Sequence, residues 1–383
     1  MQFLEHAWSF VGYLVPFLFV ITIVVFFHEL GHFLVGRWCG VKVDAFSIGF
    51  GPEITSFTDK KTGTRWRFAW LPLGGYVKFH GDANGASGGL AEGADQMTEA
   101  ERNVTFFHQP VWKRAAIVFA GPAASFLLGI FIFAGSFYFE GRSVLAPVVE
   151  TVRAGESAAA AGLQSGDVIL SIDGQPVGNW GQMQRIVQSS AETKLTFVVQ
   201  RGARDVTLEV TPRRRDVATP FGNHRVGMIG IEPSSKPENW IVERFTLVES
   251  LGKGIGETWF IVERTVAYIG GLIAGNESAD QISGPLRIAE ISGSVAKVSY
   301  TGLIYLAGII SVSIGFLNLL PVPLLDGGHL MFYAVEAVKG KPISEKNQEL
   351  GFRVGMGLVM ALMLFATIND VLHVGPKLMK LFG

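Results

Sequence analysis

The chain has 383 residues, 49% hydrophobic and 17% charged, with a formal net charge of −1 and one cysteine. That balance is too apolar for an ordinary soluble enzyme and too mixed for a bare membrane bundle. It requires membrane helices plus at least one water-facing domain. The near-zero charge gives no basis for binding nucleic acid, and Cys39 alone excludes an intrachain disulfide and a cysteine-based zinc ribbon.

Residues 11–35 form the first apolar run, which ends in Phe26-Phe27-His28-Glu29-Leu30-Gly31-His32-Phe33. An ionisable side chain at membrane depth is costly and needs a partner. On a helix, His28 and His32 share one face, the geometry of two imidazoles holding one Zn²⁺. Glu29 is placed to act on a water there as general base. A plain polar face is the rival reading, and it leaves Glu29 without solvation. Residues 1–10 contain no Lys or Arg and no small-residue cleavage site follows, so the run is read as a span and not as a removed leader. Cys39 reads as a small buried thiol, with a fourth metal ligand as the alternative.

Residues 65–79 alternate like a strand, with Pro72-Leu73-Gly74-Gly75 as a bend and apolar tips suited to dipping into a bilayer. Further spans are expected at 115–139, 301–320 and 352–372. The loop from Arg37 to Arg114 carries ten Lys or Arg, and Lys339, Lys341, Lys346 and Arg353 lie between the last two spans. The basic loops belong on the cytoplasmic side, which puts the N-terminus and the 140–300 segment outside; Lys377 and Lys380 run against that rule.

Residues 142–214 have ordinary polarity and short apolar runs. Gly166-Asp167 turns into a strand at 168–172, and Asp173-Gly174 is a hairpin signal. Paired strands are expected at 195–200 and 206–210, with a short amphipathic helix at 180–189 between the two parts. Residues 255–273 carry a helical apolar stripe broken by Glu257, Glu263 and Arg264, which reads as an interfacial helix, or otherwise as ordinary domain packing.

A catalytic zinc needs a third protein ligand and an open position for water. Asn318-Leu319-Leu320-Pro321-Val322-Pro323-Leu324-Leu325-Asp326-Gly327-Gly328-His329 offers one at the right depth. The prolines break the third helix, and the glycines permit close backbone approach. Asp326 either completes a His₂-carboxylate site or caps the following helix. His329 is its rival as ligand and otherwise belongs behind the site.

His28-Glu29-Leu30-Gly31-His32 together with Asn318 through Gly328 resembles the two core motifs of the site-2 intramembrane zinc metalloproteases. The span order, the long insertion and Gly284-Pro285 look most like bacterial members of the regulator-of-sigma-E type. The resemblance implies His28, His32 and Asp326 as zinc ligands and Glu29 as catalytic base. It also implies Asn318, Gly74, Gly75 and Pro321 as substrate-binding residues, with a re-entrant β-loop at 65–79 that pairs with unwound substrate. Ala161 through Val177 is similar to the core of bacterial PDZ domains, which bind extended peptides by strand addition, or which here only plug access. The chain departs from the best-known members in having room for one such domain, and in Ser125, where many relatives carry Asn.

The expected fold is therefore a polytopic α-helical membrane protein with four transmembrane helices, a membrane-associated β-hairpin or sheet, and an inserted periplasmic PDZ (α+β) domain. The expected divisions are 1–140, 141–215 (the PDZ domain), 216–300 (a linker with the interfacial helix) and 301–383. The expected activity is zinc-dependent cleavage of single-span membrane proteins within the lipid bilayer of a bacterial inner membrane, the active site facing the cytoplasm. The expected partners are those substrates, the bilayer and a peptide on the PDZ domain, with no nucleic acid. The alternatives are a membrane-anchored PDZ scaffold with a non-catalytic zinc site, and a metal transporter.

Overall fold

In hydrocarbon, backbone N–H and C=O groups must be satisfied within their own segment, so the long apolar runs fold as helices. The computed structural model describes residues 2–82, 97–219, 222–275 and 284–382, with 277 and 279. Among the described residues, four helical segments are long and apolar enough to cross a membrane: Val11–Trp38, Val111–Phe139, Tyr300–Asn318 and Lys346–Leu372.

In chain order, α1 (Gln2–Trp38) leads into β1 (Val43–Thr58) and β2 (Arg65–Phe79), then the single turn α2 (Glu99–Arg102) and α3 (Val111–Phe139). The insertion holds β3 (Arg142–Leu145), β4 (Val149–Val152), α4 (Ser157–Ala160), β5 (Val168–Ile172), β6 (Gln175–Pro176) and α5 (Trp180–Ser189). It continues with β7 (Leu195–Arg201), β8 (Arg204–Val210), β9 (Arg213–Thr219), β10 (Gly222–Met228), β11 (Ile231–Pro233) and β12 (Trp240–Glu243). The chain returns through α6 (Leu247–Ile273), α7 (Pro285–Val298), α8 (Tyr300–Asn318), α9 (Asp326–Lys339) and α10 (Glu345–Phe382). Two compact units result: residues 1–136 with 247–383, and residues 137–246.

In the larger unit, β1 and β2 are long, bent and antiparallel. Phe46 in the first half of β1 opposes Val77 on one side and Trp66 on the other, while Thr55 and Thr58 in the second half pair with Phe68 and Arg65. The sheet therefore runs 75–79, 43–48, 65–69, 53–58, with 75–79 at one edge among the described residues. Gly49 and Gly51, with φ of 89° and 87°, supply the bend in β1. Under the sheet, Val43, Phe46, Phe79, Phe106 and Ile117 form a dry core.

Helix packing in this unit relies on small residues. Gly293 of α7 lies against Tyr13 of α1, whose ring also sits 4.1 Å from Lys297 Nζ. Asp370 in α10 is buried and accepts the backbone N–H groups of Gly284, Leu286 and Arg287 at 2.9, 2.9 and 3.1 Å. That carboxylate serves the exposed start of α7, which removes it from any ion path through the spans. The stripe expected at 255–273 belongs to a longer helix, α6. Its buried Ser250, Gly254 and Thr258 let it approach α3, and Glu257 accepts a 2.8 Å hydrogen bond from Tyr305 of α8. Its polar break is thus partnered by a span.

The smaller unit has its own core of Ile169, Ile172, Val187, Leu195, Phe197 and Val199. β6, β5, β7 and β8 form one sheet, and Asp173 and Gly174, at φ 49° and 76°, turn β5 into β6 as the sequence suggests. Asn179 caps α5 by accepting from Gln182 N at 2.9 Å. The unit extends past the expected boundary at 215, because β11 pairs back onto β4 and β12 onto β3.

Candidate metal centre and active-site cavity

His28 and His32 lie one turn apart on α1 and project from one face, and Glu29 points about 100° round the helix. Their Nε2 atoms are 3.3 Å apart. Asp326, at the start of α9, places Oδ2 3.2 Å from Nε2 of His28 and Oδ1 3.6 Å from Nε2 of His32. One donor atom from each residue lies within 4.8 Å of the other two.

The far side of each ring is also occupied. Nδ1 of His32 is 2.9 Å from the carbonyl oxygen of Ile117, which can only accept, so Nδ1 carries a proton and the neutral ring presents its lone pair at Nε2. Nδ1 of His28 is 3.0 Å from Ser125 Oγ. Asp326 Oδ2 is buried and accepts no hydrogen bond from the described residues, an unfavourable state for a carboxylate oxygen unless a cation faces it. A Cβ at Gly121 would stand 2.9 Å from His28 Nε2 and closer still to His32 Nε2, so the space beside both nitrogens depends on the missing side chain. Two imidazoles and one carboxylate, with room beside them, fit zinc in its catalytic form.

The loop before α9 is built to deliver Asp326. Leu324 has φ 101°, a left-handed conformation unusual for a bulky residue and the kind of local strain found at functional sites. At Gly327 and Gly328 a side chain would collide with the carbonyls of Leu319, Leu320 and Val322. The N-cap of α9 is Leu325, with no side-chain cap, so the Asp326 carboxylate faces the imidazoles and leaves the helix end uncapped.

A cavity of about 660 Å³ joins His28, Glu29, His32 and Asp326 to Asn318, Gly74 and Gly75. Gly75 sits directly over Glu29, where a Cβ would come 3.0 Å from its Cγ. Pro321 does not line the cavity; it ends α8 on the exposed side of the bend. His329 does line it, one turn beyond Asp326, with its ring 5.3 Å from that of Phe352. Arg114 and Glu336 form a 2.6 Å ion pair, with the guanidinium 5.0 Å from the Tyr333 ring at the cavity wall. Cys39 is only partly buried and belongs to the core beneath the sheet, away from the His28, His32 and Asp326 cluster.

The profile of Peptidase family M50 matches residues 16–362. The chain belongs to peptidase family M50. It is thus a metalloprotease of the site-2 type. The chain is 45% identical over 361 residues to a protein of Agrobacterium fabrum named "Putative zinc metalloprotease", covering 94% of this chain and 96% of that one. It is 40% identical over 381 residues to "Metalloprotease MmpA" of Caulobacter vibrioides, with 94% and 95% covered. Among solved structures, the PDZ domain of an SdrC-like protein from Listeria monocytogenes aligns at 21% identity and TM-score 0.19, over 22% of this chain and 84% of that one.

Sequence reading missed the role of α3, which touches both imidazoles through Ser125 and Ile117 O. The visible signal was Gly121-Pro122 inside an apolar span, with Ser125 one turn on. It also placed 227–231 in a linker, although Gly227 through Ile231 and Trp180, Met183 and Val187 of α5 line a cavity of about 130 Å³ in the smaller unit.

Proposed function

We propose that this metalloprotease is a zinc endopeptidase that cleaves transmembrane segments of single-span membrane proteins. His28, His32 and Asp326 are its metal ligands and Glu29 its general base. The observation that carries this is the buried meeting of two imidazole nitrogens and an undonated carboxylate oxygen beside Glu29, in a cavity shared with Asn318. Both bacterial relatives above are named as metalloproteases, and the Agrobacterium one as a zinc metalloprotease.

When bound, zinc supplies the Lewis acidity that polarises the scissile carbonyl and acidifies the attacking water. Glu29 takes the proton of that water and returns it to the leaving amine. A substrate helix hides its amides, and unwinding it in lipid requires replacement partners. The 75–79 edge of the sheet lines the cavity and offers unpaired backbone groups for strand addition, and the Asn318 side chain holds another substrate amide.

The basic residues between 37 and 114 put this active site on the cytoplasmic side of a bacterial inner membrane, with the PDZ-like insertion in the periplasm. Substrates are then membrane-anchored regulators or signal-peptide remnants, as in regulated intramembrane proteolysis. In the insertion, the cavity beside α5 is placed to take an extended peptide next to β11, one edge of which is paired to β4. The test is cleavage of a purified single-span substrate by wild type, with and without chelator, and by Glu29→Gln. Chelator and Glu29→Gln should each abolish cleavage; full activity of Glu29→Gln would dismiss the proposal.

A further inference from the structure

One helix against α1 contributes no ligand yet reaches both imidazoles. Ile117, Gly121 and Ser125 follow one another at four-residue intervals on α3 and so form a single stripe. That stripe gives His32 its carbonyl partner, gives both Nε2 atoms their free space and gives His28 its hydroxyl partner. Pro122 has no N–H for the Val118 carbonyl one turn back, next to Ile117. Gly31 of α1 completes the fit, since a Cβ there would be 2.7 Å from the carbonyl carbon of Ala120.

Ser125 is fully buried and locked from its other side. Ser311 of α8 donates a 2.8 Å hydrogen bond to the Ser125 carbonyl, and Gly315 leaves room only for the Ser125 Cβ, 2.9 Å from where its own would stand. The Ser125 hydroxyl is therefore presented to His28 by the packing of two helices.

We propose that Ser125 is the positioning residue of His28. Its oxygen accepts a hydrogen bond from Nδ1–H and so fixes the ring with Nε2 towards Asp326, as the Ile117 carbonyl does for His32. This rests on the reading of His28 and His32 as zinc ligands. Partners of this kind on a ligating imidazole are worth about 10–100-fold in metal affinity.

The experiment measures zinc affinity of the full-length, detergent-purified protein by competition with a chromogenic chelator, and thermal unfolding in excess chelator. Four proteins are compared: wild type, Ser125→Ala, Ser311→Ala and His28→Ala. Ser125→Ala should bind zinc about 10–100-fold more weakly than wild type, with the unfolding midpoint of the metal-free protein unchanged. Ser311→Ala, which loses a buried helix–helix hydrogen bond next door, should keep wild-type affinity. Wild-type affinity in Ser125→Ala overturns the inference, as does an equal loss in Ser311→Ala, since packing alone then sets the site. Wild-type affinity in His28→Ala instead overturns the ligand assignment itself.

Discussion

Two aspartates, Asp167 of the smaller unit and Asp326 of the larger, show how differently the same side chain is used. Asp167 in the smaller unit is fully enclosed and completely partnered: Arg201 Nε and Nη2 donate at 2.8 Å each, and Gln164 N donates at 2.9 Å. Asp326 in the larger unit faces two imidazole nitrogens, and its Oδ2 accepts no hydrogen bond from the described residues. A satisfied carboxylate stabilises a fold, and an unsatisfied one waits for a cation. The contrast separates the structural acid from the functional one more sharply than burial does.

The largest effect comes from the functional side. Glu29→Gln should keep zinc while cleavage of a single-span substrate falls by about 10²–10⁴-fold, the usual contribution of a general base. A comparable loss without loss of metal is expected for Gly75→Val. Its side chain would enter a space where even a Cβ comes 2.7 Å from Ser47 O and 2.9 Å from Val25 Cγ1, closing the sheet edge over Glu29. Zinc content and turnover, measured together, distinguish both from ligand loss.

On the structural side, Arg201→Met should leave zinc and its affinity untouched and destabilise the smaller unit, because it leaves the enclosed Asp167 carboxylate without its two guanidinium donors. Hydrogen exchange of the β5 and β7 amides in the full chain measures it. The smallest effect is with pH. Burial pushes the Asp167 carboxyl up, but the Arg201 and Gln164 donors outweigh it and leave it below its ordinary 3.8. A carboxylate held low in the fold stabilises fully above the unfolded value and loses that contribution as pH falls through the folded one. Protection of β5 should thus hold from neutral pH down to the ordinary carboxylate range and decline only below it, a decline that Asp167→Asn removes.

The parts of this molecule legible in the sequence have local signatures. His28 and His32 declare themselves by helical spacing in an apolar run, and Asp326 follows two prolines and precedes two glycines. The strand at 168–172, its Asp173-Gly174 turn and the helix at 180–189 appear where their patterns put them. What escaped has no such signature. The contact of Ser125 with His28 spans 97 positions, and the partner of His32 is a backbone carbonyl, which any residue type carries. β11 and β12 read as linker in the sequence because their pairing partners, β4 and β3, lie about eighty to one hundred residues earlier. Pro321 belongs to the same motif as Asn318 and Asp326, yet it is exposed beyond the end of α8.

The most direct measurement is the zinc content of detergent-purified wild type, Asp326→Ala and Asp167→Asn at neutral pH. Wild type and Asp167→Asn should each carry one zinc ion per chain, and Asp326→Ala should carry none. An empty wild type, or a fully loaded Asp326→Ala, would contradict a metal centre built from His28, His32 and Asp326.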